Sequence, residues 1–331
     1  MSVYTPEPAD QSTPAIEWAC DKCHEVVSAV GTVIVGKGEQ LELILTTLVS
    51  GGHLLLEDVP GVAKTLAAQA TAQALGLDFR RIQFVPDLLP GDIMGSFIYD
   101  SRADSFRFRR GPIFTNLILA DEINRGTPKT QSALLEAMQE QQVTVEGQSF
   151  ALDKPFMVIA TQNPLEFEGT YPLPEAQIDR FLARMSMGYP SPEAECEMLA
   201  RRQSRQADAV TISPVLSQQE FLEIQRAIET VHVNPDIHSY IVQIVAKTRD
   251  DRRVQLGASP RGSLALFKLS RSRAMMQGRD FVTPDDVKAV AVPALAHRVI
   301  LRPELWAERI SGETVVRDAL EEAPVPRAEW R

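Results

Sequence analysis

The chain has 331 residues, of which 44% are hydrophobic and 24% charged, with a net charge of −10. That length accommodates a core domain and a smaller companion, and the negative balance argues against a surface that coats nucleic acid or anionic membrane. No apolar run approaches the roughly 18 residues of a spanning helix, and Met1 to Pro8 has neither the charged start nor the apolar stretch of a signal peptide, so the expected location is cytoplasmic.

Residues 1–15 carry Pro6, Pro8 and Pro14 without a periodic pattern and read as a mobile tail. A helix to about Thr32 follows, placing Ile16, Cys20, Cys23 and Val27 at helical spacing. Cys20-Asp21-Lys22-Cys23-His24 also spells the haem-attachment pattern. Covalent haem normally requires export, so the apolar helix face is the preferred reading. Cys196 stands alone, and a disulfide framework is not expected. After Val33 to Gly36, the stretch Gly38 to Ser50 repeats Leu41, Ile44, Leu45 and Leu48 on one helical face.

His53 to Glu57 reads as a buried strand that runs through Asp58-Val59-Pro60-Gly61-Val62-Ala63 into a helix opening at Lys64-Thr65-Leu66 and closed by Gly76. Strand, tight loop and helix in that order form a phosphate-binding loop, where backbone N–H groups and a helix N-terminus surround a polyphosphate. Lys64 would reach the β- and γ-phosphates and Thr65 would ligate Mg²⁺. The strict pattern G-x-x-x-x-G-K-[ST] nevertheless fails, because Asp58 and Ala63 stand at the glycine positions and only Gly61 remains. Asp58 is tolerable at negative φ. At Ala63 a positive φ would cost about 1 kcal/mol through the Cβ, whereas a negative φ would cost little.

Phe79 to Phe84 is a second strand. Ser96 to Tyr99 and Ser105 to Arg109 alternate like hairpin arms, with Phe106 and Phe108 on one face and Arg107 and Arg109 on the other. Leu117 to Glu122 is an apolar strand ending in two acids. Asp121 is assigned to the metal, through water, and Glu122 to the attacking water. Alone, such acids could equally cap the next helix; the Lys-Thr loop upstream favours the catalytic assignment. A helix from about Lys129 to Gln141 precedes a second hairpin, Val143 to Val145 and Ser149 to Leu152. Phe156 to Thr161 is a strand that delivers Asn163, whose amide could bond both γ-phosphate and water, although Asn-Pro is also a common turn. A short helix over Glu175 to Leu182 and a last strand over Arg184 to Gly188 complete an alternation that predicts a mainly parallel sheet with helices on both faces.

Past Pro190-Ser191-Pro192 the pattern is helical: 193–205, 217–231, 235–249, 260–277 and 283–297, with N-cap signals at Ser217 and Thr283. The expected division is a tail over 1–15, an α/β core over 16–189, a linker over 190–192, a helical domain over 193–315 and a tail over 316–331.

The set Pro60-Gly61-x-x-Lys64-Thr65, Asp121-Glu122-Ile123-Asn124-Arg125, Thr161-Gln162-Asn163-Pro164 and Asp179-Arg180-Phe181 resembles an AAA+ ATPase. Phe84 to Pro90, Gln131 to Met138, Glu168 to Gln177 and Ser259-Pro260-Arg261 are similar to the MoxR family more narrowly, and the match runs from about residue 30 to about residue 300. The resemblance implies an α/β fold: an AAA+ phosphate-loop core with a five-stranded parallel sheet and two β-hairpin inserts, plus a C-terminal all-helical lid domain. It implies ATP/ADP and Mg²⁺ as cofactors, Val35 and Gly36 beside the adenine, and Val59 to Leu66 around the phosphates. Asn163 matches sensor 1. Arg180 matches the arginine finger that completes a neighbouring subunit's site, and Arg261 matches sensor 2, acting in its own or a neighbouring subunit. Without the resemblance both arginines would read as solvated or salt-bridged.

A homo-oligomeric ring, a hexamer, is implied, hydrolysing ATP to remodel or mature client proteins, with metal insertion among the family's roles and von Willebrand factor A domain proteins as partners. Two other functions compete: a nucleotide-gated scaffold with negligible hydrolysis, and a DNA-translocating motor. The motor reading rests on Phe97, Tyr99, Phe106 and Phe108 interleaved with Arg107, Arg109 and Arg110. The plainer reading packs the aromatics and leaves the arginines solvated, so nucleic acid is not the expected partner.

Overall fold

Apolar runs without alternation belong in strands covered on both faces. Leu54 to Leu56, Leu117 to Ala120 and Met157 to Ala160 are such runs, and all are buried. They form the inner strands of a five-stranded parallel sheet. The computed structural model describes residues 12–165, 169–207, 210–304 and 310–326; expectations placed on 1–11, Glu168 and 327–331 lie outside them.

In chain order the core comprises α1 (Ser12–Gly31), α2 (Gly38–Val49), β1 (Leu54–Glu57), α3 (Lys64–Ala74), β2 (Phe79–Gln83), α4 (Pro90–Met94), and the hairpin of β3 (Gly95–Asp100) and β4 (Ser105–Arg110). It continues with β5 (Leu117–Asp121), α5 (Pro128–Glu140), the hairpin of β6 (Gln142–Val145) and β7 (Gln148–Ala151), β8 (Met157–Gln162), α6 (Glu175–Ile178) and β9 (Ala183–Met185). The sheet order is β2-β5-β8-β1-β9. The β9 edge is only three residues long, and its middle residue, Arg184, pairs with Glu57 of β1 at 3.0 Å.

Because successive strand residues face opposite ways, the sheet divides its apolar side chains between two clusters. Leu54, Leu56, Leu117, Leu119 and Ile159 pack under α1, α2 and α3. Leu55, Ile118, Ala120, Val158 and Ala160 pack against Leu134, Leu135 and Met138 of α5. The two hairpins share an aromatic joint on this second side: Phe108 stacks on Phe150 at 4.1 Å between centroids, and Phe97 and Phe114 lean on Phe108.

The C-terminal region contains α7 (Pro192–Arg205), α8 (Gln218–Ile228), α9 (Pro235–Asp250), β10 (Val254–Leu256), α10 (Pro260–Met276), α11 (Pro284–Leu295), β11 (Ile300–Leu301) and α12 (Gly312–Glu322). Ser191, Ser217 and Ser259 cap α7, α8 and α10 by accepting a backbone N–H into the side chain. The helical region shares the first apolar cluster, since Phe221, Ile224, Leu266 and Leu269 join residues of α1 and α2 there.

Several boundaries differ from expectation. Helix α1 starts at Ser12, inside the predicted tail. The last sheet strand is three residues long and stops at Met185, because the chain turns at Gly188, where φ is 64°. Helix α12 runs through residues assigned to the C-terminal tail. It forms because Val315, Val316 and Ala319 sit at helical spacing and bury one face, and Ser311 caps its start.

Candidate functional site

The turn between β1 and α3 holds two left-handed residues, Gly61 at φ 87° and Ala63 at φ 61°. Position 63 therefore adopts the positive φ that favours glycine, and the alanine there carries the conformational cost. Asp58 is absent from the positive-φ residues. Lys64 folds back over the loop, its Nζ donating to the carbonyls of Asp58 (2.6 Å) and Val59 (3.2 Å). These are neutral acceptors that a phosphate would outcompete.

Strand β5 lies one strand removed from β1, with β8 between them. Its terminal Asp121 is buried and faces Thr65, whose hydroxyl donates to Oδ2 at 3.5 Å. The other oxygen accepts from the Thr161 hydroxyl at 2.6 Å, and that same hydroxyl oxygen accepts the Glu122 N–H at 2.9 Å. Arg81 on the edge strand donates to Asp121 Oδ2 from Nε (2.9 Å) and Nη2 (2.8 Å). A hydroxyl and a carboxylate oxygen converging beside a helix N-terminus supply hard oxygen donors that fit Mg²⁺, and the guanidinium marks the place as one for a cation.

Glu122 sits at φ 54°, which turns its side chain out of the strand. Gln83 donates to its carboxylate at 2.8 Å and Arg125 pairs with it at 3.1 Å. Asn163 is buried at the end of β8, immediately after Gln162, whose carbonyl accepts the Asp58 N–H at 3.1 Å. Its own amide oxygen accepts from Leu165 N at 3.1 Å.

Beside the loop opens a cavity of about 500 Å³, lined among others by Val33, Val35, Gly61, Val62, Ala63 and Leu66 from the core and by Tyr189, Met198 and Leu199 from the junction and α7. It is mostly apolar, as an aromatic base requires. Val35 lines it. Gly36 instead sits where a Cβ would meet Ala194 at 2.6 Å, so its part is to let α7 approach closely.

Arg180 and Arg261 lie elsewhere. They line a second cavity of about 240 Å³ together with His53, Leu264 and Lys268, and among the described residues the two cavities share no lining residue. Arg180 donates from Nη1 to the Leu135 carbonyl at 2.6 Å, while its Nε is buried without a partner. Arg261 pairs with Asp179 at 3.7 Å, and buried Arg298 bonds the same carboxylate at 2.8 Å. Asp179 thereby ties the loop bearing Arg180 to the helix bearing Arg261.

Sequence reasoning passed over Arg81 and Gln83, and it quoted Thr161 and Asp179 within motifs without giving either a role. A usable signal existed for the first two: Arg81 and Gln83 alternate on a strand and point toward the strand ending in acids, and Gln83 is in register with Asp121. The aromatic hairpin residues divide. Phe97 and Phe108 pack in the joint, whereas Tyr99 and Phe106 are exposed, so the plainer reading holds for two of the four. Arg107 is spent on Asp100 at 3.1 Å, and Arg110 lies over the Phe114 ring. In the N-terminal cysteine motif, Cys23 is buried in the core with Ile16 and Val26, and Cys20 donates to the Met276 carbonyl.

Comparison with known proteins agrees with this layout. The model of the family described as "ATPase family associated with various cellular activities (AAA)" matches residues 53–183, and that of an "AAA lid domain" matches residues 246–319. The Bacillus subtilis protein YeaC is 49% identical over 91% of this chain and 94% of its own length. Chaperone MoxR1 of Mycobacterium tuberculosis is 42% identical over 98% of this chain and 89% of its own length. A crystal structure from Cytophaga hutchinsonii superposes with a TM-score of 0.88 at 40% identity, covering 95% of this chain and 98% of that one. With its phosphate loop, acid-tipped strand, five-stranded sheet and helical lid, the chain belongs to the MoxR family of AAA+ ATPases.

Proposed function

We propose that the protein is a Mg²⁺-dependent ATP hydrolase that works as a homo-oligomeric, hexameric ring and couples turnover to the remodelling or maturation of client proteins. The observation that carries the reading is where the two arginines stand relative to the loop. Thr65 and Asp121 meet at 3.5 Å at the start of α3, and the cavity beside them is lined by Gly61, Val62 and Ala63, whereas Arg180 and Arg261 line a separate cavity that shares none of these residues. A triphosphate seated on the loop needs cationic charge on its far side. In a ring, Arg180 and Arg261 of an adjacent copy supply it, so both act in trans.

Within that arrangement Lys64 leaves the Asp58 and Val59 carbonyls for the phosphates. Thr65 and Asp121 hold Mg²⁺, which when bound neutralises phosphate charge and orients the reacting group. Glu122, released from Gln83 and Arg125, orients the attacking water and takes its proton. Asn163 positions that water against the γ-phosphate. Partners carrying von Willebrand factor A domains, and metal insertion as one form of maturation, follow from the family rather than from the geometry.

Two measurements test the reading. Glu122→Gln should reduce ATP turnover at least about a hundredfold while nucleotide still binds; turnover in the wild type no faster than in this variant would leave only the gated scaffold. Mixing inactive Lys64→Ala with inactive Arg180→Ala should restore turnover, because mixed rings contain some intact pairs. Absence of any recovery would overturn the shared site.

A further inference from the structure

We propose that Asp58 is a positioning residue that fastens the phosphate loop to the chain segment leading into the lid, so that phosphate contact at Lys64 is transmitted to Gly188. The inference rests on the nucleotide reading above and adds a coupling that the reading does not require.

Asp58 stands where a phosphate loop usually begins with glycine, yet its side chain is buried and fully engaged. One carboxylate oxygen accepts the Val59 N–H at 2.9 Å. The other accepts the Ser186 hydroxyl at 2.9 Å and the Gly188 N–H at 2.7 Å. Ser186 and Gly188 follow β9 and precede α7, so this carboxylate joins the first residue of the loop to the core–lid junction. A carboxylate has acceptor sites for all three donors, whereas an amide would turn an NH₂ group toward at least one N–H.

Two further contacts give the tie a direction. Gly188 is left-handed, at φ 64°, and its N–H is held by Asp58 in that conformation. The next residue, Tyr189, lines the base cavity and accepts Lys37 Nζ on its carbonyl at 2.8 Å. On the loop side, Lys64 rests on the carbonyl of Asp58 itself. When Lys64 moves to a phosphate, the residue it releases is the one that holds Gly188. Phosphate arrival and the setting of the junction therefore meet in a single side chain, without passing through the base.

Inorganic tripolyphosphate with MgCl₂ isolates this effect, since it fills the loop and leaves the base cavity empty. Hydrogen exchange of the 186–189 amides is the readout, with binding followed by calorimetry. In the wild type, tripolyphosphate should slow exchange at Gly188 and Tyr189 several-fold. Asp58→Asn should raise basal exchange at Gly188 about tenfold and abolish the response, while tripolyphosphate still binds. ATP affinity should fall about tenfold and saturated turnover by less than about threefold, a split that general unfolding would not produce. Ser186→Ala removes one donor and leaves the carboxylate, so it should raise exchange about two- to threefold; it carries the test should Asp58→Asn not fold. Wild-type exchange at Gly188 in these variants, or a preserved response in Asp58→Asn, overturns the coupling. Failure of the wild type to bind either tripolyphosphate or ATP overturns the nucleotide reading, and the coupling with it.

Discussion

Replacing Ala63 with glycine removes a Cβ from a residue at φ 61°, ψ 21°, just before the first turn of α3. Left-handed backbone costs an alanine about 1–2 kcal/mol, while glycine loses about 0.4–1 kcal/mol more through the freedom of the unfolded chain. The difference favours glycine by roughly 0.8 kcal/mol, taking the middle of both ranges. Gly61→Ala supplies the opposite sign by the same physics. At φ 87° a Cβ there meets nothing within 4 Å, so its cost is conformational alone, and a loss of about 1 kcal/mol is expected. Urea denaturation of the nucleotide-free protein, fitted with a common slope, resolves differences of this size between variants. If Ala63→Gly destabilises while Gly61→Ala is neutral, the loop is not left-handed at these two positions. The cost assigned to Ala63 would then disappear.

Three further outcomes follow from other residues. His53 accepts the Val158 N–H at Nδ1 and donates from Nε2 to the Met138 carbonyl, and burial pushes its pKa down to about 4. The unfolded chain takes up this proton near the ordinary value of 6.5, so stability is lost as pH falls through the window from 6.5 to 4. Between pH 7.5 and 5 the wild type should lose about 2 kcal/mol more than His53→Gln; equal losses would refute the assignment. Arg81→Gln vacates Asp121 Oδ2, and since the pair is half exposed it is worth about 1 kcal/mol or less. The MgCl₂ needed for half-maximal binding of a fluorescent ADP should fall two- to threefold, and a rise would count against it. In native protein at pH 8, dithionitrobenzoate should label exposed Cys196 alone, because burial raises the Cys20 thiol and pushes Cys23 up to about 12. A second fast thiol would contradict that.

What the sequence revealed divides by range. The phosphate loop, β5 with its acids and the caps at Ser217 and Thr283 depend on neighbours a few residues away, and they lie where expected. The sign of φ at Ala63 did not, because side-chain identity there permits either hand and the sheet geometry decides. The placement of Arg261 also required the fold. Its helix start is local, but its distance from the loop depends on how the lid packs through Asp179 and Arg298, contacts spanning roughly 80 to 120 positions. Helix α12 was missed for a simpler reason. Its apolar stripe is three residues, and only packing against α9 and α11 makes it worth folding.

The outer strands bear on how copies of this chain meet. An exposed sheet edge is a template for another strand. Here one edge strand has exposed Arg80 and half-exposed Arg81, and the other has three residues, the middle one an arginine engaged with Glu57. A strand approaching β2 must displace or desolvate guanidinium groups, and one approaching β9 finds too short a ladder to repay its ordering. Polymerisation by sheet extension is thereby discouraged at both ends, and any contact between copies is left to side-chain surfaces.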